Sequence, residues 1–206
     1  MHSAKTAVGL PVVILCLAAC SLLTTPAGAQ APAAVPVFTI TPVESTIKFH
    51  VSASVAIEGT FDQWEASLTF TSPAAESAVL DVKIQAASVN TGSGLKDKTL
   101  KGEDFFNVEQ DPLITFHSTQ IVQTGPETFD IQGTFTIRGV SKPETLHLTV
   151  SGKGTRSGEI TETMAFDRKD YGMTSGIPFI KIADRVEVRV NLKGKRVSGP
   201  PVVFKQ

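Results

Sequence analysis

Apolar and polar residues alternate along several stretches of this chain, and this period of two constrains the fold more than any other feature. The clearest stretch is VEVRVNLK at 186–193, in which valine or leucine occupies every second position. Comparable alternation runs through residues 47–52, 80–85, 129–137 and 146–151. It predicts β-strands with one apolar and one polar face, which pair antiparallel rather than in a parallel sheet covered on both sides. Weaker strands are predicted at residues 37–40, 66–71, 113–119 and 160–167.

Turn residues separate the predicted strands. Thr41-Pro42, Ser72-Pro73 and Ser157-Gly158 are examples of such breaks. Eight or nine strands in about 165 residues have two closed arrangements of ordinary size, a two-sheet sandwich or a barrel. A barrel of about eight strands holds either its own filler side chains or one small ligand. Periodicity does not distinguish the sandwich from the barrel.

The first 29 residues are predicted to be a signal peptide. Residues 7–23 are apolar, and Ala27-Gly28-Ala29 fits the small-residue rule for cleavage after Ala29. An alternative is a lipoprotein leader of residues 1–19, with lipid on Cys20, the cysteine of LAAC at 17–20. An uncleaved anchor is a third. All three alternatives predict export, and therefore a periplasmic or cell-envelope location. The Ala/Pro-rich residues 30–36 are predicted to be a tether.

The composition excludes several classes of protein. The chain carries 19 basic and 20 acidic residues, a net charge of −1, which disfavours a nucleic-acid partner. Both cysteines, Cys16 and Cys20, lie in the leader, so no disulfide or thiolate chemistry is expected in the body. Twelve phenylalanines accompany one Trp and one Tyr. Because Phe has no polar group, this bias is typical of a dry interior, either a packed core or an apolar cavity.

One segment, SVNTGSGLKDKTLKGEDFFNVEQDPLITF at 88–116, interrupts the alternation. A short helix is predicted from Ser93 as the N-cap to Gly102, with Leu95, Thr99 and Leu100 facing inward and Lys96, Asp97, Lys98 and Lys101 facing outward. Adjacent residues cannot share one face of a helix or strand. Phe105 and Phe106 should therefore either occupy different places or lie in a turn that directs both to one cavity. The segment either closes one end of a barrel or covers an apolar ligand.

Three segments in order resemble the YceI-like lipid-binding family: residues 88–119, GTFTIRGVSKPETLHLTV at 133–150 and FDRKDYGM at 166–173. The resemblance extends from about Phe38 to Lys193. It implies an extended lipocalin-like antiparallel β-barrel of about eight strands with a short helical segment at the mouth, over residues 37–196, followed by a tail at 197–206. Many family members have His where Ala53 and Thr99 stand here. The resemblance therefore gives little support for a contact with a ligand head group at these two positions.

No catalytic or metal site is expected. His50, His117 and His147 lie on the polar face of their strands and lack the local spacing of zinc motifs. The body has no Gly-x-Ser-x-Gly motif and no cysteine nucleophile. We therefore expect a protein that is not an enzyme and has no resident cofactor.

The resemblance and the strand pattern together predict an apolar ligand site inside the barrel. Arg168 is the one charged member, and it should pair with Asp97 or Asp104, because an isolated buried charge is prohibitive. This pair either fixes the helix to the barrel or contacts a ligand head group. The candidate ligand-binding residues are Phe49, Val51, Phe61, Leu100, Phe105, Phe106, Phe116, Phe135, Phe166, Arg168 and Met173.

The resemblance implies that the protein binds and sequesters or carries a long apolar lipid, a polyisoprenoid or an isoprenoid quinone, in the bacterial cell envelope. A membrane redox partner that receives a quinone, and a dimer, are left open. The alternative is a non-enzymatic envelope structural or stress protein, whose barrel is filled by its own side chains.

Overall fold

The computed structural model describes residues 34–152, 156–177 and 180–206. The predicted signal peptide, Cys20 and the first part of the predicted tether lie outside these residues. Over the described ranges, none of the helices has the length and apolar character needed to cross a membrane. These described residues form one α-helix, α1 (Gly94–Lys101), and eleven strands: β1 (Val37–Ile40), β2 (Thr46–Ala53), β3 (Ile57–Phe61), β4 (Trp64–Phe70), β5 (Ala78–Gln85), β6 (Val89–Asn90), β7 (Leu113–Gln123), β8 (Thr128–Ile137), β9 (Val140–Ser151), β10 (Ser157–Asp167) and β11 (Ile182–Ser198).

All strands form one antiparallel sheet that closes on itself. Hydrogen bonds connect the strands in the order β4-β5-β7-β8-β9-β10-β11-β2-β3-β6, and β1 pairs with β11. The ring closes because residues 57–70 form one kinked strand. Its first half, β3, pairs with β2, and its second half, β4, pairs with β5. The prediction of an antiparallel lipocalin-like barrel is thus confirmed.

Two kinks and the short strand β1 explain why eleven strands appear where about eight were predicted. Residues 62 and 63 separate β3 from β4, and a 3-10 helix at Ala86–Ser88 separates β5 from β6. The two kinked strands remain one antiparallel hairpin, because β3 pairs with β6 and β4 pairs with β5. Counting each kinked strand once leaves eight strands in the ring, with β1 as a short addition at the edge.

The inner face of the barrel follows the alternation in the sequence. On β2, Ile47, Phe49 and Val51 are buried, whereas the residues between them are more exposed. On β8, the buried residues are again every second one, from Phe129 to Ile137. Burial of these apolar faces is the main stabilising contribution to such a barrel, at about 25 cal/mol per Å² of apolar surface.

Glycines on the inner face make room for phenylalanine rings. A Cβ atom at Gly133 of β8 would lie 2.5 Å from both the Phe116 ring and the His117 backbone oxygen. At Gly59 of β3, a Cβ atom would lie 2.7 Å from the Phe49 ring. Since β-carbons do not approach other atoms this closely, each ring occupies the space of the missing side chain. Two of the rings that line the interior are therefore positioned by glycines on neighbouring strands.

Replacing Gly133 by alanine should lower the free energy of unfolding by about 1–3 kcal/mol, because the added methyl group overpacks the interior against fixed backbone. Chemical denaturation would measure this change. Gly94→Ala is the matched control, because a Cβ atom at this first residue of α1 would meet no neighbouring atom within 4 Å. An equal loss in both variants would contradict this account of ring packing.

Candidate functional site

An apolar cavity with a volume of about 120 Å³ lies inside the barrel. Its walls are the inward side chains of the sheet, joined by residues of α1 and of the segments at 105–106 and 168–173. Aromatic rings contact one another along these walls: the centroid distance is 5.6 Å for Phe49 and Phe61, and 5.6 Å for Phe135 and Phe166. Only Thr115, Glu162 and Arg168 among the lining residues carry a hydroxyl or charged group. The cavity is suited to a hydrocarbon.

All eleven residues that were predicted to contact a ligand line this one cavity. They come from β2, β3, β7, β8, β10, α1 and two connecting segments, which are far apart in the sequence. Their contact with a ligand stays a prediction. They are Phe49, Val51, Phe61, Leu100, Phe105, Phe106, Phe116, Phe135, Phe166, Arg168 and Met173.

The helix begins and ends where it was predicted, with Ser93 as the N-cap and Gly102 as the C-cap residue. Leu100 points into the barrel and is buried, but the prediction that Leu95 faces inward is wrong, since Leu95 is 78% exposed. Five residues correspond to about 140° around a helix, so Leu95 and Leu100 cannot share a face. The side chain of Lys96 donates to the backbone oxygen of Ala56 at 3.3 Å, which holds α1 against the β2–β3 turn.

Asp97 of the helix lies outside the barrel interior, as predicted. Its carboxylate accepts hydrogen bonds from the backbone N–H and the hydroxyl of Thr91, at 2.8 and 2.7 Å. These hydrogen bonds lower the pKa of Asp97. Asp97 thus fixes the start of the helix through Thr91 and takes no part in the interior.

The adjacent residues Phe105 and Phe106 lie in a turn that directs both rings to the same cavity. The backbone N–H of Phe106 donates to the Leu100 oxygen, and that of Phe105 donates to the Gly102 oxygen. Phe105 is buried, and the Phe106 ring lies 5.7 Å from Phe61. This arrangement matches the second of the two predicted alternatives. The helical segment thereby contributes three apolar side chains to this end of the cavity.

Arg168 is 6% exposed and has hydrogen bonds from all three nitrogens of its guanidinium. Nε donates to Ala183 O at 3.2 Å, Nη1 donates to the oxygens of Met173 and Ser175, and Nη2 donates to Asp184 Oδ1 at 3.1 Å. The guanidinium therefore joins the end of β10 to the segment at 173–175 and to the start of β11.

The predicted partners of Arg168 are incorrect. Its ion-pair partner is Asp184, not Asp97 or Asp104. Asp104 is connected only indirectly, since it accepts a hydrogen bond at 2.6 Å from the hydroxyl of Ser175, whose backbone oxygen binds Arg168. Lys169 also contacts Asp184, at 2.7 Å, and its hydrogen bond is the main cause of the lowered pKa of Asp184. Alternation along the sequence does not predict this pairing, because Arg168 and Asp184 are 16 residues apart and come together only when β10 pairs with β11.

Glu162 is a cavity residue that was not among those predicted from the sequence. It lies on the inward face of β10 between Ile160 and Met164, lines the cavity and is 7% exposed. Burial raises its pKa to about 7, against a small opposing effect of the His147 charge. The signal was present in ITETMAFDR at 160–168, where Glu162 has the same parity as the apolar residues.

A second apolar cavity of about 110 Å³ lies further along the barrel. Leu148 and Ile160 line both cavities, so these two side chains lie at the boundary between them. Val202 and Phe204 of the segment predicted as a tail line the second cavity, and Phe204 packs against Phe129 at 6.0 Å. Lys205 pairs with Glu76 at 2.5 Å. The tail thus covers this part of the interior.

His50, His117 and His147 lie on the outer face of the barrel, each beside a carboxylate of a neighbouring strand. The distances are 3.0 Å for His50 and Glu58, 2.6 Å for His117 and Asp81, and 2.7 Å for His147 and Asp130. Within the ranges that the structure describes, no cluster of three or more His, Cys, Asp or Glu residues could hold a metal ion.

The sequence model of a family described as "YceI-like domain" matches residues 38–194. A curated relative, a UPF0312 protein of Azotobacter vinelandii, is 35% identical over 96 residues, which are 47% of this chain and 50% of the relative. The chain thus spans about half the length of this relative and of similar ones from Pseudomonas.

Two solved structures show the same fold at low sequence identity. BcnA of Burkholderia cenocepacia has a TM-score of 0.68 and 22% identity, covering 75% of this chain and 99% of that protein. A polyisoprenoid binding domain of Saccharophagus degradans, implicated in plant cell wall breakdown, has a TM-score of 0.64 and 17% identity, covering 78% and 99%.

Proposed function

Because this chain belongs to the YceI-like domain family, we propose that it binds a long apolar lipid of the polyisoprenoid class inside its barrel. The observation that carries the proposal is the composition of the first cavity, whose walls are almost entirely aliphatic and aromatic. The polyisoprenoid binding domain of Saccharophagus degradans, which shares the fold, supports this class of ligand.

The energetics favour binding by burial of hydrocarbon. Each 100 Å² of apolar ligand surface removed from water contributes about 2.5 kcal/mol, so a chain of several isoprene units needs few polar contacts. The two cavities lie in sequence along the barrel and share Leu148 and Ile160 as lining residues. Rotation of these two side chains would join the cavities into one elongated site.

The biological role that we propose is sequestration or transport in the bacterial cell envelope, after export directed by the leader. The barrel would shield the lipid from water, and the segment with Phe105 and Phe106 would move when the lipid enters or leaves. Delivery of an isoprenoid quinone to a membrane redox partner is one use of such a carrier. Binding and release involve no chemical step, so no catalytic residue is assigned.

The test is mass spectrometry of an organic extract from protein purified without detergent. We expect a long-chain lipid in near-stoichiometric amount. Val188→Phe, which adds a ring inside the first cavity, should retain about tenfold less lipid, because loss of about 60 Å² of apolar contact corresponds to roughly 1.5 kcal/mol. Thr163→Phe adds the same ring on the exposed outer face of β10 and should retain lipid as the unmodified protein does.

An extract without lipid, and no gain in thermal stability when a polyprenol or quinone is added, would contradict the proposal. That result would favour a barrel filled by its own side chains, with a structural role in the envelope. Equal lipid retention in Val188→Phe and the unmodified protein would place the lipid outside the first cavity.

A further inference from the structure

Glu162 places a carboxyl group in an otherwise apolar part of the barrel interior. The residue alternates with Ile160 and Met164 along β10, and all three line the first cavity. Its Oε1 atom is shielded from solvent and has no hydrogen-bond partner among the described residues. A buried polar atom without a partner costs free energy that a protein normally avoids. The position is therefore unusual for a purely structural side chain.

The described residues of the barrel do not supply a partner for this Oε1 atom. Arg168 is the other charged residue that lines the cavity, but its donors are occupied by Asp184 and three backbone oxygens. Arg168 also lies six residues beyond Glu162 along the chain, which corresponds to about 20 Å at the rise of a β-strand. On the neighbouring strand β11, the residue paired with Glu162 is Val190. A water molecule or a group of a bound ligand would have to supply the hydrogen bond.

The depth of Glu162 indicates where such a ligand group would lie. Glu162 is two residues from Ile160, which lines both cavities, so the carboxyl group is near the boundary between them. Phe105, Phe106 and Arg168 lie further along, at the end that α1 contacts. A ligand group that reaches Glu162 is thus inside the barrel rather than at its end.

We propose that Glu162 binds a neutral, hydrogen-bonding oxygen group of the lipid, such as an alcohol hydroxyl or a ring carbonyl, in the middle of the barrel. This inference rests on the lipid-binding function proposed above and narrows its ligand class. The carboxyl group accepts a hydrogen bond from a hydroxyl, and in its protonated form donates one to a carbonyl. A phosphate or carboxylate is disfavoured at this position, because the one cation that lines the described cavity, Arg168, is already paired and the ionised form of Glu162 would repel an anion.

The test compares two probes with the same number of heavy atoms, 1-dodecanol and tridecane. Each competes with the neutral fluorescent dye N-phenyl-1-naphthylamine for delipidated protein, and the measured quantity is the dissociation constant of each probe. In Glu162→Met, the affinity for dodecanol should fall about tenfold, as expected for one lost hydrogen bond, while that for tridecane stays the same. Glu162→Gln, which keeps a donor and an acceptor, should preserve most of the dodecanol affinity.

Thr163→Met is the matched control, because it adds the same side chain on the exposed face of β10 and should change neither affinity. If Glu162→Met changes the two affinities equally, Glu162 only shapes the cavity and the inference is overturned. If the unmodified protein binds neither probe nor the dye, the lipid-binding function itself fails and this inference fails with it. Circular dichroism of each variant verifies folding. Glu162→Gln tests the hydrogen bond with little change in packing, because glutamine has nearly the shape of glutamate.

Discussion

Replacing Arg168 by methionine should lower the free energy of unfolding by about 3–5 kcal/mol, because three backbone oxygens would lose a charged donor, at about 1–3 kcal/mol for each unsatisfied group. The guanidinium connects three segments, since its donors bind Met173 O, Ser175 O, Ala183 O and Asp184. Methionine fills similar space but leaves these oxygens without their donor. Urea denaturation of the delipidated protein would measure the change.

Lys169→Met is the control for this prediction. Lys169 also pairs with Asp184, but its side chain is 49% exposed, so its loss should cost no more than about 1 kcal/mol. Equal, small losses in both variants, together with loss of bound lipid in Arg168→Met alone, would show that Arg168 contacts a ligand head group. Every nitrogen of the Arg168 guanidinium already donates a hydrogen bond within the protein. We therefore expect the large loss of stability in Arg168→Met.

Replacing Glu162 by methionine should stabilise the delipidated protein by about 3 kcal/mol at pH 8 and by much less below pH 4.5. Burial raises the pKa of Glu162 from 4.5 to about 7. Between these values the folded state binds more protons than the unfolded state, so the Glu162 contribution to stability falls as pH rises and is constant above pH 7. The difference in pKa corresponds to roughly 3 kcal/mol, at 1.36 kcal/mol per pKa unit.

The charged groups around Glu162 do not change the direction of this effect. Arg168 is neutralised by Asp184, and His147 lies on the outer face of β9 beside Asp130. Denaturation at several pH values between 4 and 8 would measure the difference between the variant and the unmodified protein. Glu65→Gln alters an exposed glutamate on β4 and should change stability by less than about 0.5 kcal/mol. A difference for Glu162→Met that does not depend on pH would show that the pKa of Glu162 is the same in the folded and unfolded states, and would contradict the prediction.

Much of the candidate site could be predicted because the inward direction of a side chain is a local property of a strand. Phe49 and Val51 on β2, and Phe135 on β8, follow from alternation alone, and all of them line the cavity. The same rule identifies Glu162, whose parity on β10 is that of Ile160 and Met164. It was not recognised because the strand pattern is weaker there, with threonines and glutamates between few apolar residues.

Other parts of the site depend on contacts between distant residues. The pairing of Arg168 with Asp184 arises because the segment after β10 returns to begin β11 beside it. The position of Phe204 over Phe129 depends on hydrogen bonds between the last residues of the chain and the segment at 73–76. The alternation of apolar and polar residues does not predict these hydrogen bonds. Leu95 and Leu100 lie about 140° apart on α1, and the position of the helix against the β2–β3 turn decides that Leu100 is the one that faces inward.

The order of residues in the chain is sufficient to define strands with one apolar face, because a period of two places alternate side chains on opposite sides of the backbone. It also makes the barrel interior almost entirely apolar, since nearly all the inward positions hold aliphatic or aromatic residues. Closure of the barrel requires the kink at residues 62 and 63, which lets one strand pair with β2 and with β5. The partner of Arg168 follows from the pairing of β10 with β11, which brings Asp184 beside it. Glu162 faces the interior of the same strand and has no ion-pair partner among the described residues. Only the tertiary structure decides these partners, because hydrogen bonds depend on distances in space rather than on separation along the chain.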